Sequence, residues 1–258
     1  MTTFKLKGKI RTSYSNLVDA GLSLLYPRAC GVCREIVERH TDGVACAGCW
    51  AQTTLFTEHD AMCWKCGAPA FGTVGELNAA QREKLRCHLC DDEAWTAART
   101  IGKYESALRI AVLNLKREPF VSPRLAELLH ERQRFAPLNA ATLIVPVPLH
   151  PKRERERGFN QALVLAQTLA KRSGLPLDEA SLVRTGYTEV YRRVGMDAIA
   201  RRATVENAFQ VQRPRLVRDQ SVLLIDDVFT TGATVGACSA ALLAAGAQKV
   251  FVLTVARA

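Results

Sequence analysis

Eight of the nine cysteines in this 258-residue chain form four Cys-x-x-Cys pairs. The pairs are Cys30/Cys33, Cys46/Cys49, Cys63/Cys66 and Cys87/Cys90. A Cys-x-x-Cys turn points both sulfurs at one centre, and two such turns supply the four thiolates of a tetrahedral zinc site. The spacing therefore predicts two structural zinc ions, with successive pairs combined as the first choice and interleaved pairs as the alternative. Such closed sites leave no coordination position for catalysis.

The residues around these pairs have competing interpretations. A redox-active Cys-x-x-Cys is the alternative to zinc, although it normally occurs once in a chain. His88 could replace a thiolate, but eight cysteines already complete two sites, so we expect it to bind no metal. Trp50 and Trp64 either cover the small core of the module or stack on nucleic-acid bases, and we favour the first. We expect Cys238, outside the pairs, to be a buried apolar residue.

A second candidate site is the segment 222–234, VLLIDDVFTTGAT. An apolar strand predicted for residues 221–225 ends there at Asp226 and Asp227. Open α/β sheets bind ligands at the carboxyl ends of parallel strands, so we expect both carboxylates to face a ligand. Two adjacent acids suit a ligand with hydroxyl groups and a divalent cation beside it. A helix cap is the simpler interpretation of such a pair.

A Thr/Gly turn follows the carboxylates and opens a helix predicted for about residues 234–245. Backbone amides at a helix start bind phosphate, and threonine hydroxyls can add donors. Gly232 allows a close approach that a side chain would block. The lysine-containing P-loop pattern is absent from the segment. The phosphate-binding residues expected here are Thr230, Thr231, Gly232, Ala233 and Thr234.

The segment 222–234 resembles the phosphoribosyl-pyrophosphate (PRPP) signature of type I phosphoribosyltransferases, with Phe229 where an aliphatic residue is usual. A second segment, VPVPLHPKRERERGFNQ at residues 145–161, is more specific. Together with the cysteine pairs, it makes residues 24–257 resemble the ComF family, which includes competence protein F and GntX-like proteins. The resemblance implies an α/β fold, in which a type I phosphoribosyltransferase-like parallel sheet flanked by helices follows a double zinc ribbon.

The resemblance also implies a role for each site residue. Asp226 and Asp227 would be the catalytic residues, because they would hold the ribose hydroxyls of PRPP and influence its magnesium ion. The turn of residues 230–234 would hold the 5′-phosphate. Arg153 and Arg157, in a loop after Pro148, would be the cations of the pyrophosphate. Lys116 matches a lysine that follows the first helix in the family and is included in the PRPP site.

The elements that must position these residues follow from apolar patterning. The predicted strands are residues 142–148, 221–225 and 249–255. The predicted helices are residues 108–115, 162–169 and 234–245, and a further helix begins at Ser122-Pro123. Gly174 closes the helix at 162–169. Their alternation indicates a parallel sheet covered on both faces. We predict three parts: an N-terminal helical arm at 1–27, the double zinc ribbon at 28–98 and the phosphoribosyltransferase-like domain at 99–258.

An arginine-rich segment at residues 184–218 carries eight arginines and three acids. In the family it would form the hood and loop that choose the phosphoribosyl acceptor. Arg193 and Thr204 stand near the positions where a glutamine and an asparagine are usual, so the acceptor chemistry is open. Such a segment can close over a polyphosphate or follow a nucleic-acid backbone.

A formal net charge of +10 favours polyanionic partners such as PRPP or nucleic acid, with solubility as the alternative. The chain has no apolar run of about 18 residues, and its basic N-terminus with Asp19 is unlike a secretory signal, so a cytoplasmic location is expected. Two functions are open. One is binding of Mg·PRPP, with or without transfer of its phosphoribosyl group to an unidentified acceptor. The other is non-enzymatic handling of single-stranded DNA, alone or docked on DNA-uptake proteins.

Overall fold

A four-stranded parallel sheet forms the centre of the molecule in the computed structural model, which describes residues 27–70, 77–185 and 208–258. Its strands are β1 (Ala97–Lys103), β2 (Leu143–Pro146), β5 (Ser221–Phe229) and β6 (Lys249–Arg257). They lie in the order β1-β6-β5-β2, so that β5 and β6 are the inner strands. Their side chains are almost all buried, as expected for a parallel sheet covered on both faces.

Helices cover both faces of the sheet. Helices α3 (Ser106–Leu115), α4 (Pro123–Arg134) and α6 (Gln161–Ser173) pack on one face, and α8 (Ala233–Ala244) packs on the other. Ser122 caps α4 by accepting a hydrogen bond from the Leu125 amide, and Pro123 occupies the first turn. The predicted α/β architecture, a parallel sheet flanked by helices behind a Cys-rich module, is confirmed.

Smaller elements complete the described residues. Helices α1 (Ala47–Ala51) and α2 (Ala79–Lys84) belong to the Cys-rich module. A two-stranded antiparallel sheet joins β3 (Leu182–Arg184) to β4 (Phe209–Val211), and a short α7 (Pro214–Val217) leads into β5. The predicted N-terminal arm, apart from Pro27, and the residues Arg193 and Thr204 lie outside the described residues.

Two sequence-based predictions need correction. Strand β5 does not end at the carboxylates but continues through them to Phe229, because β6 runs alongside and pairs Asp226 with Thr254 and Phe229 with Arg257. The segment after Pro148 is not a loop but helix α5 (Pro151–Arg157). Proline at its first turn, a His150 side chain that accepts from the Lys152 amide, and a left-handed Gly158 at its C-terminus favour this helix.

The Cys-rich module shares the core of the sheet domain. Trp50 is fully buried in the same cluster as β5, β6 and helix α3. Residues 54–56 extend the sheet at its β1 edge, where the Phe56 amide donates to the Ile101 carbonyl and the Lys103 amide donates to the Thr54 carbonyl. The predicted boundary between residues 98 and 99 lies inside β1, a strand that the sequence did not indicate.

Within the described parts of the chain, no helix is both long and apolar enough to cross a bilayer.

Candidate functional site

The first four cysteines converge on one centre. Cys30, Cys33, Cys46 and Cys49 place their sulfurs within 4.8 Å of one another. The Cys30–Cys49 distance is 3.7 Å and the Cys33–Cys46 distance is 3.6 Å. A tetrahedron with Zn–S bonds of about 2.3 Å has edges of about 3.8 Å, whereas a disulfide needs about 2.05 Å. The spacing therefore fits a zinc ion and excludes disulfides.

The second four cysteines repeat this arrangement. Cys63, Cys66, Cys87 and Cys90 also lie within 4.8 Å of one another, with Cys63–Cys90 at 3.6 Å and Cys66–Cys87 at 3.5 Å. The preferred sequential pairing is thus confirmed, and the interleaved alternative is wrong. Both sets are closed, so the two zinc ions that they would hold are structural.

Backbone amides prepare one cysteine of each set for metal binding. Burial alone would raise the pKa of Cys30, but amide donors that include Val32 and Cys46 lower it to about 6. The pKa of Cys63 is likewise about 6, because amides such as that of Cys87 outweigh its burial. Since zinc binds the thiolate, a low thiol pKa favours loading at neutral pH.

The other predictions around the cysteines have clear outcomes. His88 is exposed and is not part of the second cysteine set. Cys238 is fully buried, as expected. Trp50 is a core residue whose indole nitrogen donates to the Asp42 carbonyl. Trp64 is partly exposed, and the Arg99 guanidinium lies 4.9 Å from the centre of its ring.

The carboxylates of β5 form the second site. Asp226 is partly exposed and Asp227 is only 6% exposed. Each carboxylate accepts the amide of the next residue, at 2.8 Å for Asp226 and 2.9 Å for Asp227. Desolvation of its carboxyl group and the charge of Asp227 raise the pKa of Asp226 well above the ordinary aspartate value. A bound cation would relieve both effects, so this donor set fits a divalent metal.

Lys116 is the cation nearest to this pair among the described residues. It follows the last residue of α3, and its Nζ lies 3.1 Å from Asp227 Oδ2. A buried carboxylate without a partner is unfavourable, and the ammonium group of Lys116 supplies that partner for Asp227. The structure therefore brings together three of the predicted site residues.

The predicted phosphate turn leads directly from β5 into α8. Gly232 precedes the helix in a left-handed conformation with φ of +83°, and as the N-cap residue it has no side chain to cap the first turn. Thr230 and Thr231 are exposed, and Thr231 Oγ1 accepts the Ala233 amide. Exposed hydroxyls beside an uncapped helix start can bind an anion.

An aromatic floor supports this turn, and sequence analysis missed it. Trp95 and Phe229 pack edge to face with ring centres 5.7 Å apart. A Cβ on Gly232 would come within 2.6 Å of the Trp95 ring and 3.0 Å of the Phe229 ring. The Arg257 guanidinium lies 4.6 Å from the centre of the Phe229 ring. The unusual aromatic at position 229 was the only sequence signal of this floor.

The two predicted pyrophosphate cations lie on α5 and differ in their surroundings. Arg157 donates from Nη1 to Gln161 Oε1, whereas Arg153 is exposed. Desolvation and then the cations Arg184 and Arg153 lower the pKa of His150, so basic groups of α5 and β3 act on the same region. This region is electropositive, as binding of a polyphosphate requires.

Asn160 fixes α5 relative to the sheet. Its side-chain amide donates to the Val147 carbonyl at 3.0 Å, and its Oδ1 accepts the Ala162 amide at the start of α6. The family-specific sequence RGFNQ thus holds the segment that follows β2. Asn160 is therefore a positioning residue, a role that the motif at residues 145–161 does not reveal from sequence.

Comparison with known proteins agrees with this organisation. The double zinc ribbon domain family matches residues 21–92. DNA utilization protein YhgH of Salmonella typhimurium is 29% identical over 242 residues, which cover 91% of this chain and 99% of that protein. A solved purine phosphoribosyltransferase of Pyrococcus horikoshii aligns at 16% identity with a TM-score of 0.33. The alignment covers 52% of this chain and 80% of that protein, and a similarity this low supports no argument.

Competence protein F of Haemophilus influenzae is 30% identical over 220 residues. The alignment covers 83% of this chain and 90% of the relative. It therefore includes parts of both the Cys-rich module and the sheet domain. On this similarity, the chain belongs to the ComF family.

Proposed function

We propose that the chain binds Mg·PRPP at the carboxyl end of β5. The observation that carries the proposal is the direct succession of two carboxylates and an uncapped helix start on an inner strand of a parallel sheet. Carboxylates accept hydrogen bonds from sugar hydroxyls, and helix-start amides donate to phosphate. A single ligand that carries a ribose and phosphates satisfies both groups.

Each group of site residues holds a different part of Mg·PRPP. Asp226 and Asp227 hold the ribose hydroxyls and the magnesium ion, and the turn of residues 230–234 holds the 5′-phosphate. Magnesium, when bound, supplies positive charge that offsets the charge building up on the pyrophosphate. Lys116 pairs with Asp227, and the basic region of Arg153, Arg157 and Arg184 attracts the pyrophosphate. Arg157 uses Nη1 for Gln161, so its other guanidinium donors are the ones available to the pyrophosphate.

Transfer of the phosphoribosyl group is the extension of this proposal. Cleavage at the anomeric carbon leaves positive charge on the sugar and sends an electron pair to the departing pyrophosphate. Positioned cations stabilise the leaving group, and fixed geometry supplies much of the remaining rate enhancement. The segment 184–218, which the resemblance assigns to choosing the acceptor, lies partly outside the described residues.

We place this activity in the use of imported DNA. The names of the two relatives, competence protein F and DNA utilization protein, support that context. For a DNA-binding function without PRPP, Trp50 is buried and unavailable for stacking on bases, which leaves the partly exposed Trp64 of the zinc module.

Calorimetric titration of Mg·PRPP into the zinc-loaded chain tests the proposal. We expect the wild type to bind and the double variant Asp226→Asn/Asp227→Asn to lose binding at least tenfold. Asp219→Asn is the matched control, because Asp219 is exposed and lies before the opposite end of β5. No binding by folded wild-type protein would refute PRPP as the ligand, and equal loss in the control would refute the assigned carboxylates.

A further inference from the structure

A cleft lies between the second zinc ribbon and the C-terminal end of α4. Its lining includes Met62, Trp64, Arg82, Arg99, Arg132 and Phe135. None of its lining residues belongs to the carboxylate pair or to the phosphate turn. The cleft is therefore a separate candidate site formed by the zinc module and the sheet domain together.

Most charged groups around the cleft already have partners. Arg99 is 7% exposed and donates at 2.8 Å to the carbonyls of Trp64 and Ala98. Arg82 donates to a backbone carbonyl at 2.7 Å, and Asp60 accepts a backbone amide at 2.6 Å. Glu58 lies 3.5 Å from the neighbouring histidine, and Glu83 is exposed to water.

Arg132 is the exception. This residue is only 6% exposed. Within the described ranges, its guanidinium donates no hydrogen bond and has no carboxylate within 4 Å. Burial lowers the pKa of the Arg132 guanidinium, while the more distant carboxylates of Asp60 and Glu58 act in the opposite direction. None of its nitrogens is sealed from water, so the guanidinium faces the cleft with its donors free and can bind an anion there.

The walls of the cleft indicate what carries that anion. Trp64 is partly exposed, and Phe135 is 37% exposed. Aromatic rings at the surface are platforms for nucleobases, and arginine binds phosphate through two parallel hydrogen bonds.

We propose that this cleft binds one nucleotide, with its phosphate on Arg132 and its base against Trp64 or Phe135. The nucleotide can be a free nucleoside monophosphate or one unit of a single strand, since both present the same phosphate and base. The site is independent of the Mg·PRPP site. Binding therefore requires neither magnesium nor the carboxylates of β5.

Equilibrium binding to the full zinc-loaded chain, without magnesium, tests this site. The probes are deoxyadenosine monophosphate, a fluorescein-labelled oligothymidylate and inorganic phosphate. The chain variants are Arg132→Gln, its matched control Arg134→Gln on the same helix, and Trp64→Leu. Arg134 is exposed, so its substitution removes the same charge outside the cleft. The same titrations with Asp226→Asn/Asp227→Asn separate this site from the PRPP site.

We expect Arg132→Gln to weaken binding of at least one nucleotide probe tenfold or more, and Arg134→Gln to change it less than twofold. Trp64→Leu should weaken the same probe but not inorganic phosphate. Binding of the monophosphate assigns a free nucleotide, and binding of the oligonucleotide alone assigns a strand. Equal binding of phosphate and nucleotide, unaffected by Trp64→Leu, would overturn the nucleotide assignment. Absence of any binding that depends on Arg132 would overturn the site.

Stability gives a second measurement of the same arginine. Because Arg132 lacks partners without ligand, Arg132→Gln should leave the melting temperature of the ligand-free chain unchanged or raise it. A marked fall would show that the buried guanidinium stabilises the fold, and the inference of an unsatisfied ligand group would be wrong.

Discussion

Trp95 packs against Gly232 so closely that a Cβ at Gly232 would stand 2.6 Å from Trp95 Cη2. Trp95 follows the last cysteine of the second zinc set by five residues, and Gly232 is the residue from which α8 begins. The chain leaving the zinc module thus forms the floor of the proposed phosphate turn. This contact explains why two unlike modules share one chain: the first helps to shape the ligand site of the second.

Gly232→Ala is expected to damage the phosphate turn directly. The left-handed φ of +83° costs an alanine about 1 kcal/mol, and the overlap with the Trp95 ring adds to that cost. We predict a lower melting temperature and a loss of Mg·PRPP affinity of at least tenfold. Gly174→Ala is the control, because Gly174 is also left-handed but its Cβ would meet nothing within 4 Å. Equal affinity losses in the two variants would contradict a local effect on the turn.

The two zinc sites should have different consequences when they are disrupted. The Cys66 carbonyl accepts Arg257 Nη1 at 2.8 Å, and Arg257 covers Phe229 in the floor of the turn. The first site instead joins the main core through Cys30 and Cys49. Loss of either zinc should destabilise the fold, because structural zinc contributes folding free energy.

We therefore predict that Cys90→Ser and Cys33→Ser each reduce zinc content from two ions to one. Only Cys90→Ser should also weaken Mg·PRPP binding, by about tenfold or about 1.4 kcal/mol. Metal analysis, thermal melting and calorimetry on the same preparations measure the three effects. If Cys33→Ser reduced affinity as much as Cys90→Ser did, the effect would be global, and the path through Cys66 and Arg257 would be rejected.

The raised pKa of Asp226 predicts opposite pH effects on stability and on binding. The folded chain retains a proton on Asp226 that the unfolded chain releases near the ordinary aspartate pKa. The free energy of unfolding should therefore fall as pH rises from that value through the raised pKa. Mg·PRPP binding needs the ionised carboxylate, so its affinity should rise over the same interval.

Asp226→Asn separates these effects. It should remove this part of the pH dependence and stabilise the ligand-free chain at the alkaline side of the interval, while Mg·PRPP affinity falls at every pH. Denaturant unfolding and calorimetry across a pH series check both trends, with Asp219→Asn as the control. If the free energy of unfolding of the Asp226→Asn chain still fell with rising pH as in the wild type, a group other than Asp226 would be responsible.

Local patterns explain which parts of the fold could be predicted. Each Cys-x-x-Cys turn and the helix start at Ser122-Pro123 depend on neighbouring residues, so the sequence shows them directly. Strand β1 was missed because its sequence AARTIGK is not an apolar run. Arg99 of this strand can be buried because its guanidinium donates a hydrogen bond to the carbonyl of Trp64, which lies 35 positions earlier. The Trp95–Phe229 floor depends on a contact of still longer range and has no local pattern.

The ion pair between Lys116 and Asp227 yields the last prediction. Lys116 Nζ lies 3.1 Å from a carboxylate that is almost fully buried. The lysine side chain is about one-third exposed, so solvent weakens the pair, and we expect a coupling free energy of about 1 kcal/mol. Lys116→Met should destabilise the chain by about that amount, because it leaves the Asp227 carboxylate without its cation.

A double-mutant cycle with Asp227→Asn measures this coupling. In the Asp227→Asn background, Lys116→Met should have little further effect on stability, since no buried carboxylate remains to be neutralised. Lys171→Met, at an exposed position near the end of α6, is the control for loss of a lysine charge. Additive effects of Lys116→Met and Asp227→Asn would mean that the two side chains act independently, and the ion pair would then contribute nothing to stability.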